Sequence, residues 1–250
     1  NSTANFLFHG DLVTLLQRER RGAPFSYTCA RAASLKNAIE SLGVPHTEVG
    51  RILVNGTPAT LARTVREGDA IEIFPWSRDA GTLPEGELGF LADAHLGGLA
   101  RFLRMLGFYT VHQNALSDAD IRRLAHDERR IVLTRDRELL MCREIVFGCL
   151  VRALRPEDQL REVAARYGLA TAARPFTRCL HCNLPLEPVE KSRIADRLPE
   201  QVRARQERFM HCAGGDRIYW PGSHYQRMQA VLQDLLPEVP PGGAPGQALT

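Results

Sequence analysis

The regular alternation of apolar strands with helical segments between residues 90 and 167 constrains the fold of this chain more than any other feature. Short apolar runs such as Ile131-Val132-Leu133-Thr134 are typical of buried strands, and each is followed by a segment with helical periodicity. Strands and helices at this spacing form βαβ crossovers, so the sequence predicts an α/β fold with a parallel sheet covered on both faces. The predicted strands are 90–93, 109–112, 130–134 and 149–152, and the predicted helices are 98–106, 118–128, 137–143 and 157–167.

Residues 1–78 predict a separate α+β domain. They contain strand patterns, one helix pattern that ends at Gly43, and the turn pairs Asn55-Gly56 and Gly68-Asp69. The order strand, strand, helix, strand, strand in so short a segment is that of a β-grasp domain. The predicted strands are 5–8, 25–29, 51–54 and 70–74, and the predicted helix is 34–42.

Two turn-containing segments of this domain resemble the ubiquitin-like sulfur-carrier family. They are Ile52-Leu53-Val54-Asn55-Gly56 and Val65-Arg66-Glu67-Gly68-Asp69. Those carriers end in a free Gly-Gly whose carboxylate is activated. Here Phe74-Pro75-Trp76 continues into a linker at 77–87, so the resemblance implies a docking or structural module that binds a protein partner, and not a carrier.

Three carboxylates stand where the predicted parallel strands stop. Asp93 ends the first strand, Asp136 closely follows the third, and Asp118 opens the helix after the second. Ligands of such sheets bind outside the carboxyl ends of the strands, and neighbouring strands lie about 4.8 Å apart. Because converging carboxylates repel one another without a cation, the sequence predicts Mg²⁺ or Mn²⁺ held by these three residues.

Each of these acids also has a structural interpretation. The spacing Ser-x-x-Asp that ends at Asp120 fits a capping box, which would occupy Asp120 and leave Asp118 for the metal site. Asp93 and Asp136 could cap the helices that follow them. Asp120 and Glu138 are therefore the weaker candidates for metal binding.

Arginine dominates the basic residues, since 30 of the 32 are Arg, and the formal net charge is +3. Guanidinium groups bind phosphate through two oxygens, although a GC-rich coding bias explains the same composition. No tail or block is strongly basic, so a nucleic-acid site must be local. Four arginines near the acids are predicted to bind RNA phosphates: Arg101, Arg104, Arg135 and Arg137. The alternative is that they only form the solvent-exposed faces of helices.

The cysteines indicate a metal knuckle. Of the 6 cysteines, only Cys179 and Cys182 are closely spaced, as a Cys-x-x-Cys pair that suits a metal better than a disulfide framework. A redox-active pair is the alternative. This usage fits a reducing compartment. The sequence has no apolar run of about 18 residues and no signal-peptide pattern. It therefore predicts a cytoplasmic protein without membrane contact.

Several segments together resemble the Mut-seven C-terminal ribonuclease-like family, a PIN-fold group. They are Phe90-Leu91-Ala92-Asp93, the stretch from Leu96 to Gly107, Asp118 with Ile121, and the stretch from Ile131 to Asp136. The resemblance implies a metal-dependent RNA-cleaving domain at 88–170, with Asp93, Asp118 and Asp136 at its acidic positions. It also implies a ubiquitin-like domain at 1–78 and a zinc ribbon at 171–228.

The expected zinc ribbon departs from the family pattern. Such a ribbon has two Cys-x-x-Cys pairs, but here the fourth ligand position holds Gly215. Three thiolates leave tetrahedral Zn²⁺ one ligand short, unless a residue or water completes the shell or the metal has been lost. The ligands implied are Cys179, Cys182 and Cys212, with His211, Asp216 or His224 as the fourth. Beyond the ribbon, residues 236–250 are rich in Pro and Gly and are predicted to be disordered.

Acids that hold a divalent cation, rimmed by arginines, form the combination needed to hydrolyse a phosphodiester. The sequence therefore predicts a metal-dependent ribonuclease that acts on single-stranded or structured RNA, with transfer RNA among the candidates. The alternative is a non-catalytic RNA-binding or adaptor protein on the same PIN-like fold.

Overall fold

The computed structural model describes residues 1–112 and 116–238. They divide into two compact units, the first made of residues 1–87 and 116–151 and the second of residues 88–112 and 152–238. From residue 239 onward, the predicted disordered segment lies outside the described residues. The predicted domain boundaries at 78, 88, 170 and 228 stay predictions.

The N-terminal part of the first unit is a β-grasp sheet with one helix. Its elements are β1 (Ser2–Phe8), β2 (Phe25–Cys29), α1 (Leu35–Ser41), β3 (Val49–Val54), β4 (Thr57–Ala59) and β5 (Ala70–Pro75). The sheet order is β2-β1-β5-β3-β4, in which β1 and β5 are parallel and the other neighbours antiparallel. The α+β prediction is confirmed, although β4 had not been predicted.

Alternating burial along β1 builds the core of this sheet. Ala4, Phe6 and Phe8 are buried, while Asn5 between them is exposed, as period-two side-chain alternation requires. The helix α1 begins after Ser34, whose side chain accepts a hydrogen bond from the Asn37 N–H at 3.2 Å. The sequence pattern thus determines which face of each element is buried.

The second part of the first unit continues with alternating helices and strands. Its elements are α3 (Asp118–Glu128), β8 (Ile131–Thr134), α4 (Arg137–Leu140) and β9 (Gly148–Leu150). β8 and β9 pair in parallel, with Val132 opposite Gly148 and Thr134 opposite Leu150. Every residue of both strands is buried, as in parallel sheets covered on both faces.

Buried polar contacts join the two parts of the first unit. The Leu150 N–H donates to Glu48 Oε1 at 2.9 Å, and Glu48 is only 3% exposed. The His46 ring contacts Ile145 O through Nε2 at 2.8 Å and Glu40 Oε1 through Nδ1 at 2.7 Å. The β-grasp part is therefore docked onto the segment that carries β8 and β9.

The second unit begins with a parallel strand pair and a helix. Its first elements are β6 (Gly89–Ala92), α2 (Gly97–Met105), β7 (Tyr109–Val111), α5 (Pro156–Tyr167) and α6 (Leu169–Ala172). β6 and β7 are parallel, with Phe90 opposite Thr110. The backbone of Gly98 approaches Pro156 so closely that an added Cβ would lie 2.6 Å from its ring, so glycine allows α2 and α5 to pack. The alternation predicted for the C-terminal part is confirmed.

The second unit ends in a small antiparallel knuckle and a terminal helix. The elements are β10 (Glu187–Pro188), α7 (Lys191–Ile194), α8 (Glu200–Arg205), β11 (Met210–Cys212), β12 (Arg217–Tyr219) and α9 (Ser223–Leu235). The sheet order is β10-β11-β12. Ile194, Leu198 and Phe209 form its own buried cluster, against which Trp220 packs.

Among the described residues, no helix combines the length and the apolar character needed to cross a bilayer.

Candidate functional site

Asp93 follows directly after β6, where the sequence places it. It caps a short 3-10 turn at Ala94–Leu96, and its Oδ1 accepts a hydrogen bond from the His95 N–H at 2.9 Å. The residue is partly buried. Its carboxylate therefore has a local structural role in addition to any role as a ligand.

Asp118 and Asp120 begin α3, and the structure separates their roles. Asp120 Oδ2 accepts hydrogen bonds from Ser117 Oγ at 2.7 Å and from the Ser117 N–H at 3.2 Å, while Ser117 Oγ accepts one from the Asp120 N–H. This confirms the predicted capping box. These bonds also lower the pKa of the Asp120 carboxyl. Asp118 lies outside the box, at the exposed first position of the helix.

Asp136 is the N-cap of α4. Its Oδ1 accepts hydrogen bonds from the Glu138 N–H at 2.8 Å and the Leu139 N–H at 3.4 Å, and its own N–H donates to Thr134 Oγ1 at 3.0 Å. Both of these hydrogen bonds to the Asp136 carboxylate thus use the same oxygen, Oδ1. Asp136 and Glu138 are both exposed, so each can be reached from solution.

The four predicted phosphate-binding arginines have two different environments. The Arg104 guanidinium donates to Thr110 O at 2.9 and 3.0 Å and to Leu180 O at 2.9 Å, and burial lowers its pKa. The Arg137 guanidinium donates to Leu15 O at 3.1 Å. Both therefore hold parts of the chain together. Arg101 and Arg135 differ from them because they show no hydrogen bond or ion pair to other described residues, and both are exposed.

The structure brings the three predicted zinc ligands together. The Sγ atoms of Cys179, Cys182 and Cys212 all lie within 4.8 Å of one another. Thiolates bound tetrahedrally to Zn²⁺ at ~2.3 Å would lie about 3.8 Å apart, so the three thiols fit one metal ion. Among the described residues, these cysteines are the group of three or more His, Cys, Asp or Glu side chains whose ligand atoms lie within 4.8 Å of one another. No three carboxylates of the described residues lie so close together.

Local hydrogen bonds prepare Cys179 as a thiolate. Burial acts to raise its pKa, but the Cys182 N–H at 3.3 Å from Sγ and the Tyr219 hydroxyl at 3.1 Å stabilise the anion and lower the pKa to about 7. Burial raises the pKa of Cys212 and of Tyr219. Tyr219 is a contact of the cysteine group that the sequence did not reveal, because 40 positions separate it from Cys179.

The loop of the first two cysteines is anchored on β7. Arg104 binds its backbone at Leu180, and the buried side chain of Asn183 accepts a hydrogen bond from the Thr110 N–H at 3.0 Å. Asn183 itself has a positive φ of 62°, which asparagine tolerates better than most residues. This anchoring fixes the position of the cysteine group relative to α2 and β7.

The residues predicted as a fourth zinc ligand do not join the group. His211 Nε2 lies 2.8 Å from Asp216 Oδ1, and the same carboxylate accepts a hydrogen bond from Arg197 at 3.0 Å. These partners lower the pKa of Asp216. His224 is likewise outside the group of described ligand atoms within 4.8 Å. Among the described residues, the group of candidate ligands therefore consists of the three cysteines.

Two family models match the chain. The model described as "Mut7-C RNAse domain" matches residues 88–232, more than half of the sequence. The chain belongs to the Mut7-C RNAse family. A second model, "Mut7-C ubiquitin", matches residues 1–80 of this Mut7-C protein, in agreement with the β-grasp part of the fold.

Other comparisons add little to this assignment. A comparison with curated proteins finds no match. Among solved structures, the Mut7-C protein is similar to the crystal structure of H. volcanii small archaeal modifier protein 1. The two are 17% identical with a TM-score of 0.25, and the match covers 30% of this chain and 98% of the other.

Proposed function

We propose that this chain is a metal-dependent ribonuclease that hydrolyses RNA phosphodiester bonds. The observation that carries the proposal is the match of the Mut7-C RNAse domain over residues 88–232, a family whose description names a nuclease. The acids and arginines of that segment supply the groups that phosphodiester hydrolysis needs.

In this proposal, Asp93, Asp118 and Asp136 hold Mg²⁺ or Mn²⁺. Carboxylate oxygens are the donors that both ions prefer, and each acid directly follows a strand or opens a helix. A bound divalent cation would activate water and stabilise the charge that develops on the scissile phosphate. Capping engages Asp136 through Oδ1, which keeps the side chain in one orientation. Asp120 and Glu138 are assigned supporting roles only.

The exposed guanidinium groups of Arg101 and Arg135 are proposed to bind the phosphates on either side of the scissile bond. Each follows or precedes a proposed acid along the chain, and both are exposed. Arg104 and Arg137 are proposed to act indirectly, since their donors are engaged with backbone carbonyls. Arg137 joins α4, which Asp136 caps, to the backbone at Leu15. Arg104 joins α2 to β7 and to the backbone at Leu180.

The matched pair Asp118 and Asp120 tests this assignment of the acids. Asp118→Asn should abolish cleavage of a labelled RNA and leave RNA binding intact. Asp120→Asn keeps an oxygen that can accept the capping bonds, so it should retain cleavage. Equal cleavage by Asp118→Asn and the unaltered chain, at equal protein concentration and with the fold checked by circular dichroism, would refute the assignment.

The second candidate function is a non-catalytic RNA-binding or adaptor protein. The observation in its favour is that Asp93 and Asp136 already serve as caps, a role that needs no metal. On this alternative, Asp118→Asn changes neither cleavage, which is absent throughout, nor RNA binding. RNA binding without cleavage at any Mg²⁺ or Mn²⁺ concentration would favour the adaptor.

The proposal also covers partner and location. We assign the β-grasp part a docking role, which the buried hydrogen bond from the Leu150 N–H to Glu48 supports. We also propose that a protein partner binds its remaining surface. Cytoplasmic location stays a prediction that rests on the free cysteines. RNA, single-stranded or structured, is the proposed substrate.

A further inference from the structure

An arginine lies beside the cysteine group, where the family pattern has a fourth cysteine. An ideal Cβ built on Gly215 would lie 2.6 Å from Cys182 Sγ and would overlap Nη1 of Arg217. That same Nη1 donates a hydrogen bond to Cys182 Sγ at 3.3 Å. The guanidinium therefore stands where the side chain of a fourth cysteine would begin.

The placement of Arg217 has consequences for charge. Three thiolates and one divalent cation carry a net charge of −1, which a neighbouring guanidinium neutralises. A site with four thiolates would carry a net charge of −2, which the guanidinium of Arg217 would also stabilise. A cysteine at position 215, however, would overlap that guanidinium. The guanidinium is the end of a flexible, exposed side chain, so it can move aside without disturbing the backbone.

We infer that the cysteine group of this chain is an open metal site. Cys179, Cys182 and Cys212 bind one thiophilic divalent cation, and the fourth coordination position, next to Arg217, takes an exchangeable ligand from solution. The adjacent positive charge favours an anionic ligand, such as a small thiolate. Closed four-thiolate sites are structural, whereas a site with three protein ligands keeps a position for exchange. The inference does not rest on ribonuclease activity.

Co²⁺ titration of the reduced, metal-stripped full chain provides the test, because Co²⁺ replaces Zn²⁺ and reports its ligands by absorption. The reference is the double variant Gly215→Cys with Arg217→Gln, which offers four thiolates and removes the overlapping guanidinium. The sulfur-to-cobalt charge-transfer intensity of the unaltered chain should be three quarters of that of the double variant. Added 2-mercaptoethanol should raise the intensity of the unaltered chain towards that of the double variant, and should leave the double variant unchanged.

A measurement on the unaltered chain keeps the test decisive if the double variant does not fold. Bound metal should protect 3 of the 6 cysteines from a thiol-reactive reagent, and Cys212→Ser should abolish that protection. Arg217→Gln alone should weaken the response of the Co²⁺ spectrum to added thiol several-fold, because it removes the positive charge that favours an anionic fourth ligand. Two results would overturn the inference. One is an absorption spectrum that does not respond to added thiol, which would mean that the protein supplies a fourth ligand. The other is no metal binding by the unaltered chain.

Discussion

Replacement of Glu48 by alanine should loosen the docking of the β-grasp part. Glu48 is 3% exposed, and its Oε1 accepts the hydrogen bond of the Leu150 N–H at 2.9 Å. Because Leu150 is buried at the end of β9, water cannot readily replace the lost acceptor. The bond links positions 102 residues apart, so its loss acts on tertiary structure and not on a local turn.

The expected magnitude follows from the burial of both partners. A hydrogen bond to a charged group contributes about 1.5–3 kcal/mol, and a buried donor left without a partner costs about 1–3 kcal/mol. Release of the carboxylate from its desolvated position offsets part of this cost. We therefore expect Glu48→Ala to lower the free energy of unfolding by about 2 kcal/mol. Glu48→Gln keeps a carbonyl oxygen in the same place and should lose less than half as much.

Hydrogen exchange followed by mass spectrometry, with urea denaturation in parallel, measures the effect. A local loss of about 2 kcal/mol corresponds to roughly 30-fold faster exchange of the Leu150 amide in Glu48→Ala. Peptides that cover β7 in the second unit serve as the internal control and should keep their exchange rates. Unchanged protection of Leu150 in Glu48→Ala would refute the docking role of this contact.

Two further predictions concern stability. Arg63 holds the pKa of Asp69 below the ordinary value of 3.8 through hydrogen bonds at 2.7 and 3.1 Å. The contribution of this ion pair to folding stability is therefore present above about pH 4 and is lost as the pH falls through the folded-state pKa of Asp69. Asp69→Asn should therefore lower the free energy of unfolding by about 2 kcal/mol at pH 7. Urea denaturation in a pH series should show that the difference in this free energy between Asp69→Asn and the unaltered chain becomes smaller below pH 4. A difference that stays constant with pH would contradict a stabilising role of the ion pair. Arg104→Ala should lower the free energy of unfolding by about 3 kcal/mol, since it breaks hydrogen bonds to three backbone carbonyls. The matched variant Arg101→Ala alters an exposed side chain, so it should change the free energy of unfolding by less than ~0.5 kcal/mol and instead weaken RNA binding. Equal destabilisation by both arginine variants would show that the division between them is wrong.

Much of the fold is predictable because local patterns determine it. The Asn55-Gly56 turn has the positive φ angles, 51° and 76°, that a tight hairpin requires. The capping box at Ser117 and Asp120 depends only on their spacing in the sequence. The short strand β4 escaped prediction since its 3 residues are exposed or partly exposed and show no alternation.

The parts that the sequence did not reveal depend on residues far apart in the chain. Arg137 looks like a phosphate ligand in sequence, but its Nη1 donates to Leu15 O, 122 positions away. The sequence does not single out Arg217, yet its Nη1 donates a hydrogen bond to Cys182 Sγ, 35 positions away. Such contacts follow from tertiary packing, which neither periodicity nor spacing encodes.

Metal-dependent cleavage of RNA tests the central claim most directly. Labelled single-stranded and structured RNAs would be incubated with the unaltered chain, Asp93→Asn and Asp136→Asn across a titration of Mg²⁺ and of Mn²⁺. Asparagine keeps a carbonyl oxygen that can accept the capping bonds of both sites, so the variants should remain folded. We predict cleavage by the unaltered chain that requires the added ion and is lost in both variants while RNA binding persists. Cleavage that is equal in all three proteins, or RNA binding without cleavage under every metal condition, would contradict the account.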